Sequence, residues 1–370
     1  VKKRLLLASL VAFLLGASFA SPPAQVSGNS GNTTPVLAAT PTTSPASSQQ
    51  TQLNPLTGLP VEDASLLELP PALISVSNFP VSARPQSGLS TSPIVFEMYI
   101  GEGMTRFLAM FYGDYAKGQK TAAQQAAEDA KIGPIRSGRL AYEDVRTLYN
   151  GFLVMGGAYS KVAQQLNQTT NIYGSDPNDI NSAGITLANL QALAESQKTG
   201  HQALEALQGM QFSEAIPAAG EAASRLWMFY NYYNQVEWNY DAPSGAYLRS
   251  QDRSDGTGKF YPASDQLTGE PLAFNNVVVL FANHNFIAPT LIDIELLYVK
   301  DYPALLFRDG KVYQAKWSTR APIKPIQLTD LEGNPLPYKP GNTWFEIVDH
   351  FTPVKQIEPG VWKARFYAPK

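Results

Sequence analysis

Apolar runs of strand length recur along this chain, each closed by Gly or Pro. Ala72 to Ser77, Ile94 to Ile100 and Arg106 to Tyr112 are three of them, the last two rich in aromatic residues, and they predict strands. Residues 137–149 instead space Leu140, Val145 and Leu148 along one side of a helix. Phe152 to Met155 reads as the next strand, stopped by Gly156-Gly157, and Ser160 to Leu166 as a short helix. Leu187, Leu190, Leu193, Leu204 and Leu207 give helical spacing across 186–208, with Gly200 as a break. Residues 116–130 are rich in Lys, Gln and Ala with no apolar stripe, so we expect a solvent-exposed insertion there.

Beyond a soft stretch of Gly and Ala at 209–223 the spacing changes to close-set aromatic strands. Leu226–Tyr230, Val236–Tyr240, Ala246–Arg249, Val277–Ala282, Leu291–Val299, Ala304–Phe307, Lys311–Trp317, Phe345–Val348 and Trp362–Phe366 follow one another, with Asp309-Gly310 as a hairpin turn. The expected class is α+β: a mixed α/β-type N-terminal domain over 53–208, a connection at 209–223 and a strand-rich C-terminal domain over 224–370.

The first residues change the picture. Lys2-Lys3-Arg4, the apolar run Leu5 to Leu15, and small Ser18 and Ala20 form the pattern of a secretory signal peptide over 1–20. The run falls short of the roughly 20 apolar residues that span a bilayer, so membrane contact is expected only through an uncleaved N-terminal segment. Val1 in place of Met leads us to expect an alternative bacterial start codon. Residues 21–52, made of Ser, Thr, Pro, Gln, Asn and Ala, cannot bury enough surface to offset ordering and predict a disordered linker. Export places the folded part outside the cytoplasm, where nucleotide cofactors are scarce, and no phosphate-binding loop or dinucleotide fingerprint occurs; no cofactor is expected.

Composition narrows the classes further. A length of 370 residues suits about two domains. The absence of Cys excludes disulfides, thiolate metal sites and a cysteine nucleophile. A net charge of −3, more acidic still without the basic leader, gives no footprint for nucleic acid. His201, His284 and His350 lack metal-ligand spacing, and the Asp252–Gly258 turn has no Glu at the twelfth position of a calcium loop, so no metal is expected.

Three loops next to strands concentrate polar groups: Ser82–Ser90, Gly101–Arg106 and Ile132–Arg139. They hold the candidate ligand-binding residues Arg84, Gln86, Ser87, Glu102, Thr105, Arg106, Arg136, Ser137 and Arg139. Grouped guanidiniums suit bidentate recognition of carboxylate or phosphate. Glu97 and Glu102 could serve as an acid/base pair on a glycosidic bond, which needs a separation of roughly 5 Å or 6.5–9.5 Å. The third option is that arginines and glutamates pair with one another and lock the loops. We expect Arg84, Glu97, Glu102, Arg106 and Arg136 to converge on one side of the N-terminal domain.

The segments Asn54–Gly58, Ala83–Ser90, Gly103–Phe107 and Ile132–Ser137 resemble the N-terminal domain of the YerB lipoprotein family. Tyr240-Asp241, Tyr247–Arg249, Asn276–Val279, Lys316-Trp317 and Pro340–Trp344 look like its C-terminal domain. The resemblance implies an exported, envelope-associated, two-domain protein of unestablished activity, and carries over no catalytic residue. Two features depart from it. Ser18 stands where the family's lipobox has Cys, so lipid anchoring is not expected. Phe260–Asp265 lacks the His of the family's His-Asp pair, which weakens an enzymatic reading. The favoured function is a binding or scaffolding module that meets an anionic wall polymer or an envelope protein; the alternative is a wall-glycan hydrolase using Glu97 and Glu102.

Overall fold

The computed structural model describes residues 52–113, 131–198, 203–319 and 324–367. The leader, residues 21–51 of the linker and the insertion at 116–130 lie outside them. The described residues belong to one compact unit, Gln50–Lys370, rich in strands with few helices.

Its spine is an eleven-stranded sheet. In spatial order the strands are Gln327–Thr329, Lys311–Ser318, Tyr302–Arg308, Asn276–Ala282, Thr343–Asp349, Ile94–Gly101, Met104–Phe111, Ala72–Ser77, Phe152–Met155 and Thr169–Asn171, with Glu221–Ala222 attached to Lys311–Ser318. Segments expected as separate domains therefore share one sheet. The seam is the pairing of Ile94–Met98 with Thr343–Ile347, parallel and in register. Thr343–Asp349 pairs in parallel on its other side with Asn276–Ala282. A parallel sheet buries both faces and reads as continuous apolar sequence. Val277, Val278, Val279 and Leu280 fit that rule, and all four are fully buried.

A seven-stranded sheet covers one face of the spine, built on Arg225–Asn231, Asn234–Asp241, Ala246–Asp252 and Val361–Arg365. Strand Arg225–Asn231 alternates strictly, with Leu226, Met228 and Tyr230 inward. The rings of Phe107, Trp238, Phe274 and Trp344 fill the space between the sheets; Trp344 lies 5.1 Å from Phe107, 5.2 Å from Trp238 and 5.1 Å from Phe274. On the opposite face Phe96 stacks on Phe345 at 5.0 Å and meets Tyr149 edge-on, next to helix Ala141–Leu148. That helix buries Val145 and Leu148, and Leu140 just ahead of it is also buried, as the spacing predicts.

The expected soft connection is tied down. Arg308 Nη2 donates to the carbonyls of Ser213 and Ala215, Tyr313 OH donates to that of Pro217, and Phe212 bridges to Tyr338. Two other expectations shorten: helix 186–208 becomes Leu187–Ser196 and Ala203–Ala206, and strand Leu291–Val299 stops at Ile294. Asp309 and Gly310 have positive φ (53° and 70°), as a tight hairpin requires.

Residues 53–208 expressed alone lose the Thr343–Asp349 neighbour and expose the apolar edge of Ile94–Gly101. They are expected to lack cooperative unfolding and dispersed amide resonances; a sharp thermal transition for this fragment would refute the shared-sheet constraint. In the full chain, Ile347→Ala, at a fully buried position of the seam, is expected to cost about 2–5 kcal/mol in urea unfolding.

Candidate functional site

The chemistry of the interior gathers between the two sheets. Glu97 and Glu346 occupy paired positions on adjacent parallel strands, so their side chains leave the spine on the same face, and both are fully buried. Glu97 Oε2 accepts from Arg249 Nη2 at 3.0 Å and Glu97 Oε1 from Thr105 Oγ1 at 2.7 Å. Glu346 Oε2 accepts from Tyr230 OH and Oε1 from Trp238 Nε1, both at 2.8 Å. Arg249 reaches from the second sheet, its Cζ 5.0 Å from the Trp344 ring, 5.2 Å from Phe107 and 5.9 Å from Trp238. A desolvated guanidinium over aromatic faces gains about 2 kcal/mol from the ring quadrupoles.

Burial, and then the charge of Glu97, push the Glu346 carboxyl up to about 8. Near neutral pH Arg249 therefore faces one carboxylate charge rather than two. Burial and the neighbouring Glu346 also push the Tyr230 phenol well above its usual range, which keeps it a donor.

From this pair a chain of hydrogen bonds runs outward. Asn78 Nδ2 donates to Thr105 Oγ1 at 2.9 Å, and Asn78 Oδ1 accepts from Arg84 Nε at 3.0 Å. Arg84 also donates to the carbonyl of Asp252 and lies over the Phe79 ring at 4.6 Å. Gln86 Nε2 donates to the Ser77 carbonyl at 3.0 Å. Outside this chain lies a cavity of about 260 Å³, with Arg84, Gln86, Arg249, Gln251 and Tyr261 in its wall.

The remaining arginines stand elsewhere. Thr105 and Arg106 are neighbours in one strand, so they point to opposite faces. Thr105 joins the inter-sheet group; Arg106 points to the helix side, where its Nη1 donates to the Ser137 carbonyl at 2.9 Å. Arg136 and Arg139 gather there, donating to the carbonyls of Ile180 and Gly138. Burial and then Arg139 and Arg136 pull Arg106 down to about 10, with Tyr142 opposing. Burial and then Arg139 also lower Arg136. Among the described residues none of these three guanidiniums lies within 4.0 Å of a carboxylate, and the Nε atoms of Arg106 and Arg139 have no partner.

The expected convergence of Arg84, Glu97, Glu102, Arg106 and Arg136 on one side is thus corrected to two groups, one on each face of the spine. Glu102 joins neither. It is exposed at the Glu102-Gly103 turn with φ 53°, while both oxygens of Glu97 are sealed and already bonded. A glycosidic bond cannot lie between that pair as folded. Gly103 allows the turn to touch the second sheet: a Cβ there would stand 1.6 Å from Asn231 Nδ2. Ser87 pairs through its backbone with Gly133 and lines an open groove of about 660 Å³.

The lock on the Ser87–Ser90 loop comes from a residue that sequence reasoning gave no role. Buried Asp265 accepts from Gly88 N at 2.8 Å, Ser90 N at 2.7 Å, Ser90 Oγ at 2.7 Å and Leu267 N at 2.8 Å. Arg249 and Glu346 had no assigned role either, although alternation from Trp344 would have marked Glu346 inward. A second surface also went unread: Lys363 Nζ sits 3.3 Å over the Trp227 ring, and Arg365 lies over Phe229, in a groove of about 540 Å³. No group of three His, Asp or Glu suited to a metal occurs among the described residues, and no helix there is long and apolar enough to cross a membrane.

Two segments of the chain share one sheet and together enclose the buried carboxyl pair and its arginine. The family profiles agree: the N-terminal domain of a protein of unknown function, DUF3048, matches residues 56–210, and its C-terminal domain matches 226–345. The chain belongs to the DUF3048 family. It is 30% identical over 316 residues to a Bacillus subtilis protein named "Putative lipoprotein YerB", covering 80% of this chain and 85% of that one. The crystal structure of YerB from Bacillus subtilis superposes with a TM-score of 0.62 at 27% identity, covering 80% of this chain and 96% of the other.

Two outcomes follow from the buried group. Arg249→Met leaves Glu97 without its counter-charge and is expected to cost about 3–5 kcal/mol in urea unfolding. The folded Glu346 value stands above its ordinary 4.5, so the folded state keeps a proton that the unfolded chain releases. That contribution is intact below the ordinary value and is lost as pH rises through about 8. Urea unfolding between pH 5 and 9 should show stability falling by up to about 1.4 kcal/mol per pH unit, a slope that Glu346→Gln removes. Equal slopes in the two proteins would rule out a proton on Glu346.

Proposed function

We propose that this chain is an extracytoplasmic binding module that captures anionic groups of a wall polymer through Arg106, Arg136 and Arg139. One observation carries the reading: the guanidiniums of Arg106, Arg136 and Arg139 lie near enough to depress one another, each bonded to a backbone carbonyl, and among the described residues none has a carboxylate within 4.0 Å. Their shared field favours a carboxylate or phosphate oxygen, and each charge-assisted bond formed adds about 1.5–3 kcal/mol. Strand Met104–Phe111 gives Arg106 a rigid base, while Arg136 and Arg139 are partly exposed and can reach a ligand.

The placement outside the cytoplasm is supported by the lipoprotein name of the Bacillus relative and by the leader pattern of residues 1–20. Ser18 at the lipobox position points to a chain held without a diacylglyceryl group. Nucleotide cofactors and nucleic acid have no part in this reading.

Titration with polyglycerol phosphate, polygalacturonate and neutral dextran tests it. The wild type is expected to bind one or both polyanions and to ignore dextran. The Arg136→Gln/Arg139→Gln double variant should bind at least tenfold more weakly with an unchanged melting temperature, since a factor of ten is about 1.4 kcal/mol. Unchanged affinity in the double variant, or no polyanion binding by the wild type, would overturn the proposal in favour of protein partners.

A further inference from the structure

The 260 Å³ cavity on the other face of the spine has a different character from the arginine cluster. Its inner wall carries polar atoms that the protein leaves unused. Arg249 Nε and Gln251 Oε1 are buried and have no hydrogen-bond partner, and the Arg84 guanidinium stands in the same wall beside Tyr261. Arg249 is only 2% exposed, so an unused donor there is costly unless something fills it. Gln251 cannot relieve its own oxygen by turning over. Its Nε2 has three acceptors for its two N–H groups, Asn234 Oδ1 at 3.3 Å, the Gln235 carbonyl at 3.1 Å and Asp252 Oδ1 at 3.3 Å, which fixes Oε1 as the free acceptor.

We infer that this cavity is a second binding site, for a small carboxylate bearing an adjacent amide N–H. The guanidiniums of Arg249, on a strand, and Arg84, on the loop after Val81–Ala83, address the carboxylate oxygens, and Gln251 Oε1 accepts the neighbouring N–H. The volume lies just under the 300–1,000 Å³ usual for larger ligands and suits a single acylated amino acid or the last residue of a peptide. Position is fixed from behind: Arg249 is held by Glu97 and three rings, and Arg84 by Asn78 and the Asp252 carbonyl. Donors already oriented before the ligand arrives lose little freedom on binding. Segment Tyr261–Ser264 supplies the outer wall, so both family segments contribute to the site.

N-acetylalanine is the probe, followed by calorimetry or amide chemical shifts on the full exported chain. N-acetylalaninamide, which lacks the carboxylate, and propionate, which lacks the N–H, should each bind at least tenfold more weakly. Arg84→Gln should weaken N-acetylalanine at least tenfold while keeping the wild-type amide spectrum away from the cavity, and Ser264→Phe, placed at the partly exposed rim, should block binding and melt like the wild type. An acetylated tetrapeptide with a free C-terminus binding as well as N-acetylalanine assigns the ligand to peptide ends, and its exclusion assigns a free acid. Arg136→Gln/Arg139→Gln should leave this binding unchanged, which separates the site from the polyanion reading. Absence of binding, equal binding of the amide, or indifference to Arg84→Gln would each overturn the inference.

Discussion

The interaction on which the rest depends is the buried group of Glu97, Glu346 and Arg249. Two carboxyls and a guanidinium removed from water cost several kcal/mol per ion unless every polar atom finds a partner. Here the carboxyl partners come from four strands of two sheets: Thr105 from the spine, and Tyr230, Trp238 and Arg249 from the covering sheet. The two family segments cannot part without exposing that group to incomplete solvation, and neither can satisfy it alone. Parallel pairing at the seam then sets the register, because a slip of one residue would turn Glu97 or Glu346 to the other face.

Local structure was legible in the sequence to the extent that it depends on neighbours in the chain. Ala72–Ser77, Phe152–Met155 and the Asp309-Gly310 hairpin stand where apolar runs and turn residues put them. What periodicity could not express was the partner of each strand. Ile94–Gly101 pairs with a strand about 250 residues later in the chain, a contact whose specificity lies in seam geometry rather than in either segment. Residues 209–223 look like a linker because they are small and irregular. They are held by Arg308 and Tyr313, side chains that composition alone cannot assign to them.

The same logic governs the candidate residues. Grouping Arg84, Glu97, Arg106 and Arg136 by loop motif ignored the two-residue period of the strands that carry them. Thr105 and Arg106 are adjacent in sequence yet serve opposite faces of one sheet. Had the alternation in Gly103–Phe107 been followed through, Arg106 would have been separated from Glu97 before any partner was known. Arg249 was harder to see: a lone Arg in an aromatic strand reads as an outward residue, and only the ring of Phe107, Trp238 and Trp344 around it shows otherwise.

The division of labour among charges follows from this partition. Carboxylates do the internal work: Asp265 holds the Ser87–Ser90 loop by accepting four hydrogen bonds, and Glu97 neutralises Arg249. Arg84, Arg106, Arg136 and Arg139 bond mainly to carbonyls, which satisfy donors without cancelling charge. A fold that needed these arginines only as braces would gain more by pairing them with its plentiful acids, since the chain carries 31 Asp and Glu against 28 Lys and Arg. Arg106 and Arg136 are depressed by burial and by neighbouring arginines, a local cost that an anion brought beside them would offset.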